Sequence, residues 1–206
     1  MILSSNPGSP LRVDLGSSGD VPVPGDYDGD GITDCAMWRP SEGAWIILFS
    51  SGRFELEVRL DLIGAIPVPG DYDGDGKTDL AVWKPWDGSW YVIPSSRPGT
   101  AIAKQCGRLG DTPVPGDYDG DGKADFAVWS ESSGTWLVIP SGNPAAPIAA
   151  QWGLPGDIPV PADYDGDGKT DFAVWRAKSG TWYLIPSSNP TAPAWVQCGA
   201  PGDVPR

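Results

Sequence analysis

The chain has 206 residues, no His, and 27 acidic side chains against 14 Lys and Arg, for a formal net charge of −13. Gly (28) and Pro (23) make up about a quarter of it, yet 40% is hydrophobic and 11 residues are Trp, a strand-and-turn composition with enough apolar surface for a core. That balance excludes a basic nucleic-acid interface, a run of eighteen or so apolar residues able to form a membrane helix, and any catalysis that needs an imidazole.

In chain order, the N-terminal Met1-Ile-Leu-Ser-Ser-Asn-Pro lacks the basic segment and apolar core of a signal peptide. It matches Leu184-Ile-Pro-Ser-Ser-Asn-Pro190, so the chain is expected to open halfway through a repeated unit. The unit is then marked by a nine-residue loop that occurs four times. Its Asp residues stand at positions 1, 3, 5 and 9 and its Gly residues at positions 4 and 6, with copies beginning at Asp26, Asp71, Asp117 and Asp163. Four carboxylates in nine residues repel one another unless a cation sits among them. Hard oxygen donors on a flexible, Gly-rich loop suit Ca²⁺, which takes about six to eight oxygens. The expected ligands are the side chains of Asp26, Asp28, Asp30 and Asp34; Asp71, Asp73, Asp75 and Asp79; Asp117, Asp119, Asp121 and Asp125; and Asp163, Asp165, Asp167 and Asp171. Ile32, Lys77, Lys123 and Lys169, at position 7, are expected to offer only backbone carbonyls. A plain Asp/Gly turn that binds nothing is the alternative, and four copies of one pattern weigh against it. The four loops hold 16 of the 27 acidic residues, so the charge is local to them.

An EF-hand is ruled out. Its loop of about twelve residues ends in a Glu and lies between helices, whereas position 12 here is Met37, Val82, Val128 or Val174. The flanks also read as extended chain: Val-Pro-Val-Pro-Gly upstream, and apolar runs such as Phe126-Ala-Val-Trp129 downstream. Each unit therefore predicts four strands. The first is the Val-Pro-Val-Pro-Gly-Asp-Tyr stretch. The second is Cys35–Trp38, Leu80–Trp83, Phe126–Trp129 or Phe172–Trp175. A Gly-containing turn leads to the third, at Trp45–Phe49, Trp90–Ile93, Trp136–Ile139 or Trp182–Ile185. After a Ser/Asn/Pro-rich loop, the fourth ends near Leu60, Cys106, Trp152 or Cys198.

Loop spacings of 45, 46 and 46 residues with four short strands per unit predict an all-β fold of β-propeller-type blades. The expected boundaries are an N-terminal half-blade at 1–18, complete blades at 19–64, 65–110, 111–156 and 157–202, and the start of a further first strand at 203–206. Strands two and three are almost continuously apolar, as a sheet covered on both faces requires. Trp38, Trp83, Trp129 and Trp175 close the second strand, and Trp45, Trp90, Trp136 and Trp182 open the third. These columns read as packing between blades more readily than as platforms for sugars. Trp86 and Trp195 lie off both columns and are the candidates for ligand contact. Three Cys, at 35, 106 and 198, form no disulfide framework.

The unit Asp-x-Asp-Gly-Asp-Gly-Lys-Thr-Asp-(Leu/Phe)-Ala-Val-Trp, followed by Gly-x-Trp-Tyr, resembles the FG-GAP/VCBS-type repeats of bacterial extracellular proteins, relatives of the integrin alpha-chain propeller repeats. The resemblance implies calcium in the loop between strands one and two, secretion or surface display, and adhesion or carbohydrate binding more often than catalysis. The expected function is a non-enzymatic, calcium-stabilised extracellular scaffold or adhesion protein with four Ca²⁺ sites. It would associate with copies of itself, head to tail or as a filament through its incomplete terminal blade, or with a cell-surface or glycan partner. A carbohydrate-binding propeller is the alternative. Neither nucleic acid nor membrane insertion is expected.

Overall fold

The computed structural model describes residues 14–51, 55–203 and 205, and two compact units divide the chain, Met1–Gly64 and Ala65–Arg206. Residues 1–13 of the half-blade expected at 1–18 thus lie outside the described residues. The rest is all-β, with no helix among the described residues.

In the first unit, β1 (Val21–Pro22), β2 (Cys35–Arg39), β3 (Ala44–Leu48) and β4 (Glu55–Arg59) pair in sequence order as an antiparallel four-stranded sheet. The second unit repeats that meander three times. Its sheets are β5 (Ile66–Pro67), β6 (Leu80–Lys84), β7 (Ser89–Ile93) and β8 (Ile102–Gln105); then β9 (Asp111–Pro113), β10 (Phe126–Ser130), β11 (Thr135–Ile139) and β12 (Ile148–Gln151); then β13 (Ile158–Pro159), β14 (Phe172–Arg176), β15 (Thr181–Ile185) and β16 (Ala194–Gln197).

The first strand is shorter than the sequence suggests. Only Val21 and Pro22 pair in β1, although Val23 N–H still donates to Ala36 and a lone bridge joins Gly25 to Asp34. Pro24 interrupts the ladder because it has no N–H to give. The carboxylate loop fills the gap between the bridge partners, so each loop is closed at its neck by two strands.

The Trp columns meet directly, as Trp38↔Trp45, Trp83↔Trp90, Trp129↔Trp136 and Trp175↔Trp182 are cross-strand partners. Seven of these eight are fully buried, Trp182 being the half-buried one. Two indoles share one acceptor in each of the second unit's first two sheets: Trp83 and Trp90 donate to the Cys106 carbonyl (3.2 and 2.8 Å), and Trp129 and Trp136 to that of Trp152 (3.1 and 2.9 Å). The columns are packing; in these two sheets their polar atoms are satisfied from the end of the fourth strand, whereas Trp45 Nε1 in the first unit is buried without a hydrogen-bond partner.

Within the second unit successive sheets stack face to face. Phe126 lies on Tyr72 (5.3 Å between centroids, 27°) and edge-on to Trp90 (5.7 Å, 81°). One repeat later Phe172 stacks on Tyr118 (5.3 Å, 24°) and meets Trp136 (5.3 Å). The strand covered on both sides, β10, is buried over all five residues, which is why its sequence shows no polar alternation.

Candidate metal centres

The four carboxylate loops share one internal wiring. The position-1 carboxylate accepts the N–H of the first loop Gly at 2.6–2.7 Å and that of the second at 2.8–3.0 Å. Positions 3 and 5 each accept the amide two residues on, at 3.1–3.2 and 2.8–3.0 Å. Such Asx turns wrap the chain around its own carboxylates. They need Gly at positions 4 and 6, where φ runs from 80° to 88°, a region that costs other residues strain.

Position 9 is a different kind of carboxylate. Asp34, Asp79, Asp125 and Asp171 are at most 1% exposed. One oxygen of each accepts the N–H of the loop Tyr (2.8–2.9 Å), and the other accepts a Ser N–H just beyond the third strand (2.7–2.8 Å). Burial still wins over these bonds: the Asp79 and Asp125 carboxyls are pushed up to about 6, helped by the like charges of Asp73 and Asp71, and of Asp119 and Asp117.

In the first three loops the oxygens of positions 1, 3 and 9 gather within 4.8 Å of one another: Asp26, Asp28 and Asp34; Asp71, Asp73 and Asp79; Asp117, Asp119 and Asp125. In the fourth loop the group is Asp163, Asp165 and Asp167. Asp30, Asp75, Asp121 and Asp171 stand outside those groups. The position-7 residues Ile32, Lys77, Lys123 and Lys169 enter the wiring through their N–H, which donates to position 5. An all-oxygen donor set with several converging carboxylates can hold a hard divalent metal ion.

The structure adds residues that sequence reading passed over. Ser50, Ser95 and Ser187 donate their hydroxyls to Asp30, Asp75 and Asp167 (2.9, 2.5 and 2.7 Å). Ser51, Ser96 and Ser188 donate to Asp28, Asp73 and Asp165. The Ser pair therefore clasps the loop from the end of the third strand, which pairs with the strand the loop leads into. The third repeat departs: it has Ser141-Gly142, the Ser141 hydroxyl is buried without a partner, and a Cβ at Gly142 would fall 2.1 Å from Asp121 Oδ2. The signal was a Ser recurring 16 residues after position 9 in every unit.

Neighbouring loops of the second unit touch. Ala124 N–H donates to the Asp71 carbonyl and Thr170 N–H to that of Asp117, both at 2.6 Å. The side chain of Lys123 lies across Gly74, and that of Lys169 across Gly120, each with Cε 2.8 Å from where a Cβ would stand. Trp86, 49% exposed in the β6–β7 turn, and Trp195, 68% exposed on β16, belong to none of the carboxylate groups.

A family model described as an FG-GAP-like repeat matches residues 26–82, 71–128 and 117–174. No curated protein matches the chain. Among solved structures, a lectin of Agrocybe aegerita, described for its specific recognition of non-reducing terminal N-acetylglucosamine, is similar at a TM-score of 0.57 and 12% identity over 85% of this chain. The match spans 51% of that lectin, about half its length. At that identity the likeness is one of fold.

Proposed function

Because this chain belongs to the FG-GAP-like repeat family, we propose that it is a non-enzymatic, calcium-stabilised binding scaffold that works outside the cell or on its surface. The carrying observation is the carboxylate group repeated once per blade, with a buried, amide-bonded Asp closing three of the four. Each loop pins a cluster of negative charge to the neck of a sheet, and a Ca²⁺ ion offsets that repulsion with the coordination the oxygens offer. Metal binding is then part of the folding free energy. Extracellular calcium modules bind at about 10⁻⁴–10⁻³ M, a concentration met outside the cell, and this supports the placement. The absence of His from the sequence and the commitment of the loop carboxylates to backbone amides favour binding over catalysis.

Self-association is the partnering this reading favours. Tyr72, Trp90 and Cys106 are at most 3% exposed beneath the next sheet, whereas Tyr164 is 43% exposed, Trp182 half-buried and Cys198 exposed on the sheet of β13–β16. An apolar face of this kind suits another blade. Glycan binding is the second reading, favoured by the exposed Trp86 and Trp195 and by the fold shared with a lectin. The test is thermal unfolding in millimolar calcium and in chelator, with calorimetric titration of the metal-free chain. We expect four ions per chain and a fall of about ten degrees in chelator, from a linkage of about 3–4 kcal/mol. An unchanged melt sinks the reading.

A further inference from the structure

In two of the four blades a bidentate ion pair links the residue before the first strand to the end of the second. Arg39 Nε and Nη2 donate to the two oxygens of Asp20 at 3.1 and 3.0 Å, and Arg176 does the same to Asp157 at 2.8 and 2.8 Å. Both carboxylates also accept an amide of their own turn, from Ser17 (2.8 Å) and Leu154 (2.9 Å). The blade of β9–β12 keeps the carboxylate and the turn, with Asp111 accepting the Arg108 N–H at 3.1 Å, but Ser130 stands where the arginine should be. Ser130 Oγ instead lies 3.4 Å from Ser132 Oγ. The cation at hand is Arg108, whose Nε stays 3.9 Å from Asp111 Oδ1 on a side chain 73% exposed, while that of Asp111 is only 7% exposed.

This carboxylate lines an open cleft of about 280 Å³ on the β9–β12 sheet, with Arg108, Val128, Ser130, Thr135 and Leu137 around it. The corresponding cleft one repeat on, about 260 Å³, has Arg176 in its wall, paired with Asp157 and lying 4.3 Å over the Tyr183 ring. A nearly buried carboxylate without its bidentate donor is costly, and a planar, forked cation is the group that satisfies it. We propose that the Asp111 cleft binds a guanidinium group, in the form of an arginine side chain, in the place that Arg39 and Arg176 fill from within their own blades. Leu137, at the position of Tyr183, gives the apolar stem a surface to lie on.

The probe is N-acetyl-argininamide, titrated into the full chain in millimolar calcium and followed by amide NMR shifts. Shifts at Ser130 and Leu137 are expected, with none from the uncharged isostere N-acetyl-citrullinamide. Ser130→Arg restores the internal pair and should weaken binding about tenfold or more, as should Asp111→Asn, while Asp157→Asn leaves it unchanged. Equal shifts from the citrulline probe, or no shifts from the arginine probe on the unsubstituted chain, overturn the proposal whether or not the variants fold.

Discussion

At the scale of single residues, the buried carboxyls of Asp79 and Asp125 set a pH dependence. Their ordinary value is about 3.9 in an unfolded chain, and in the fold burial raises those of Asp79 and Asp125 to about 6. The folded, metal-free chain therefore holds these two protons more tightly than the unfolded one. Its stability is undiminished below the unfolded value and falls as pH rises from there through about 6. In chelator we expect a higher melting temperature at pH 5 than at pH 7, with a flatter dependence in the Asp79→Asn/Asp125→Asn double variant. In calcium the order should reverse, since protons then compete with the ion for the same oxygens.

At the scale of elements, the tight β6–β7 turn shows how little room the blade leaves. Gly88 has φ +73°, its carbonyl accepts the Cys106 N–H at 3.2 Å, and a Cβ there would stand 2.1 Å from the Gly107 carbonyl oxygen. Gly88→Ala is expected to cost about 2 kcal/mol or more, from the left-handed conformation and the displaced fourth strand together, and chemical denaturation would measure it. Much of this architecture was legible beforehand. The carboxylate spacing fixed the period, and the apolar runs after Asp34, Asp79, Asp125 and Asp171 placed the second strands. The Trp columns read as packing, which the shared carbonyl acceptors of Cys106 and Trp152 bear out. The Ser clasp was not legible as such, because it depends on the chain returning past the end of the third strand to a loop 16 or more residues back, and local pattern carries no such distance. The length of the first strand was missed because Pro24 and its equivalents sit in a stretch whose composition is otherwise that of a strand.

At the scale of the molecule, charge and repetition act together. The net −13 is concentrated in four loops, and four divalent ions would cancel more than half of it. Solubility and metal loading are thus tied to each other. Repeats that stack on their neighbours also share stability with them, so a change in one blade is felt in the next. The contacts between loops make this specific. The Asp71 carbonyl that caps Ala124 and the Asp117 carbonyl that caps Thr170 belong to position-1 residues of one loop, and their donors immediately precede the position-9 residues of the following loop. An ion that fixes the first loop of such a pair also fixes the frame in which the second closes. Loops two to four are in this sense links of a chain, each tightening the next. Their filling should be sigmoidal, with a Hill coefficient above one. Replacing Ala124 by Pro, which removes the connecting N–H, should split the titration curve into separate steps.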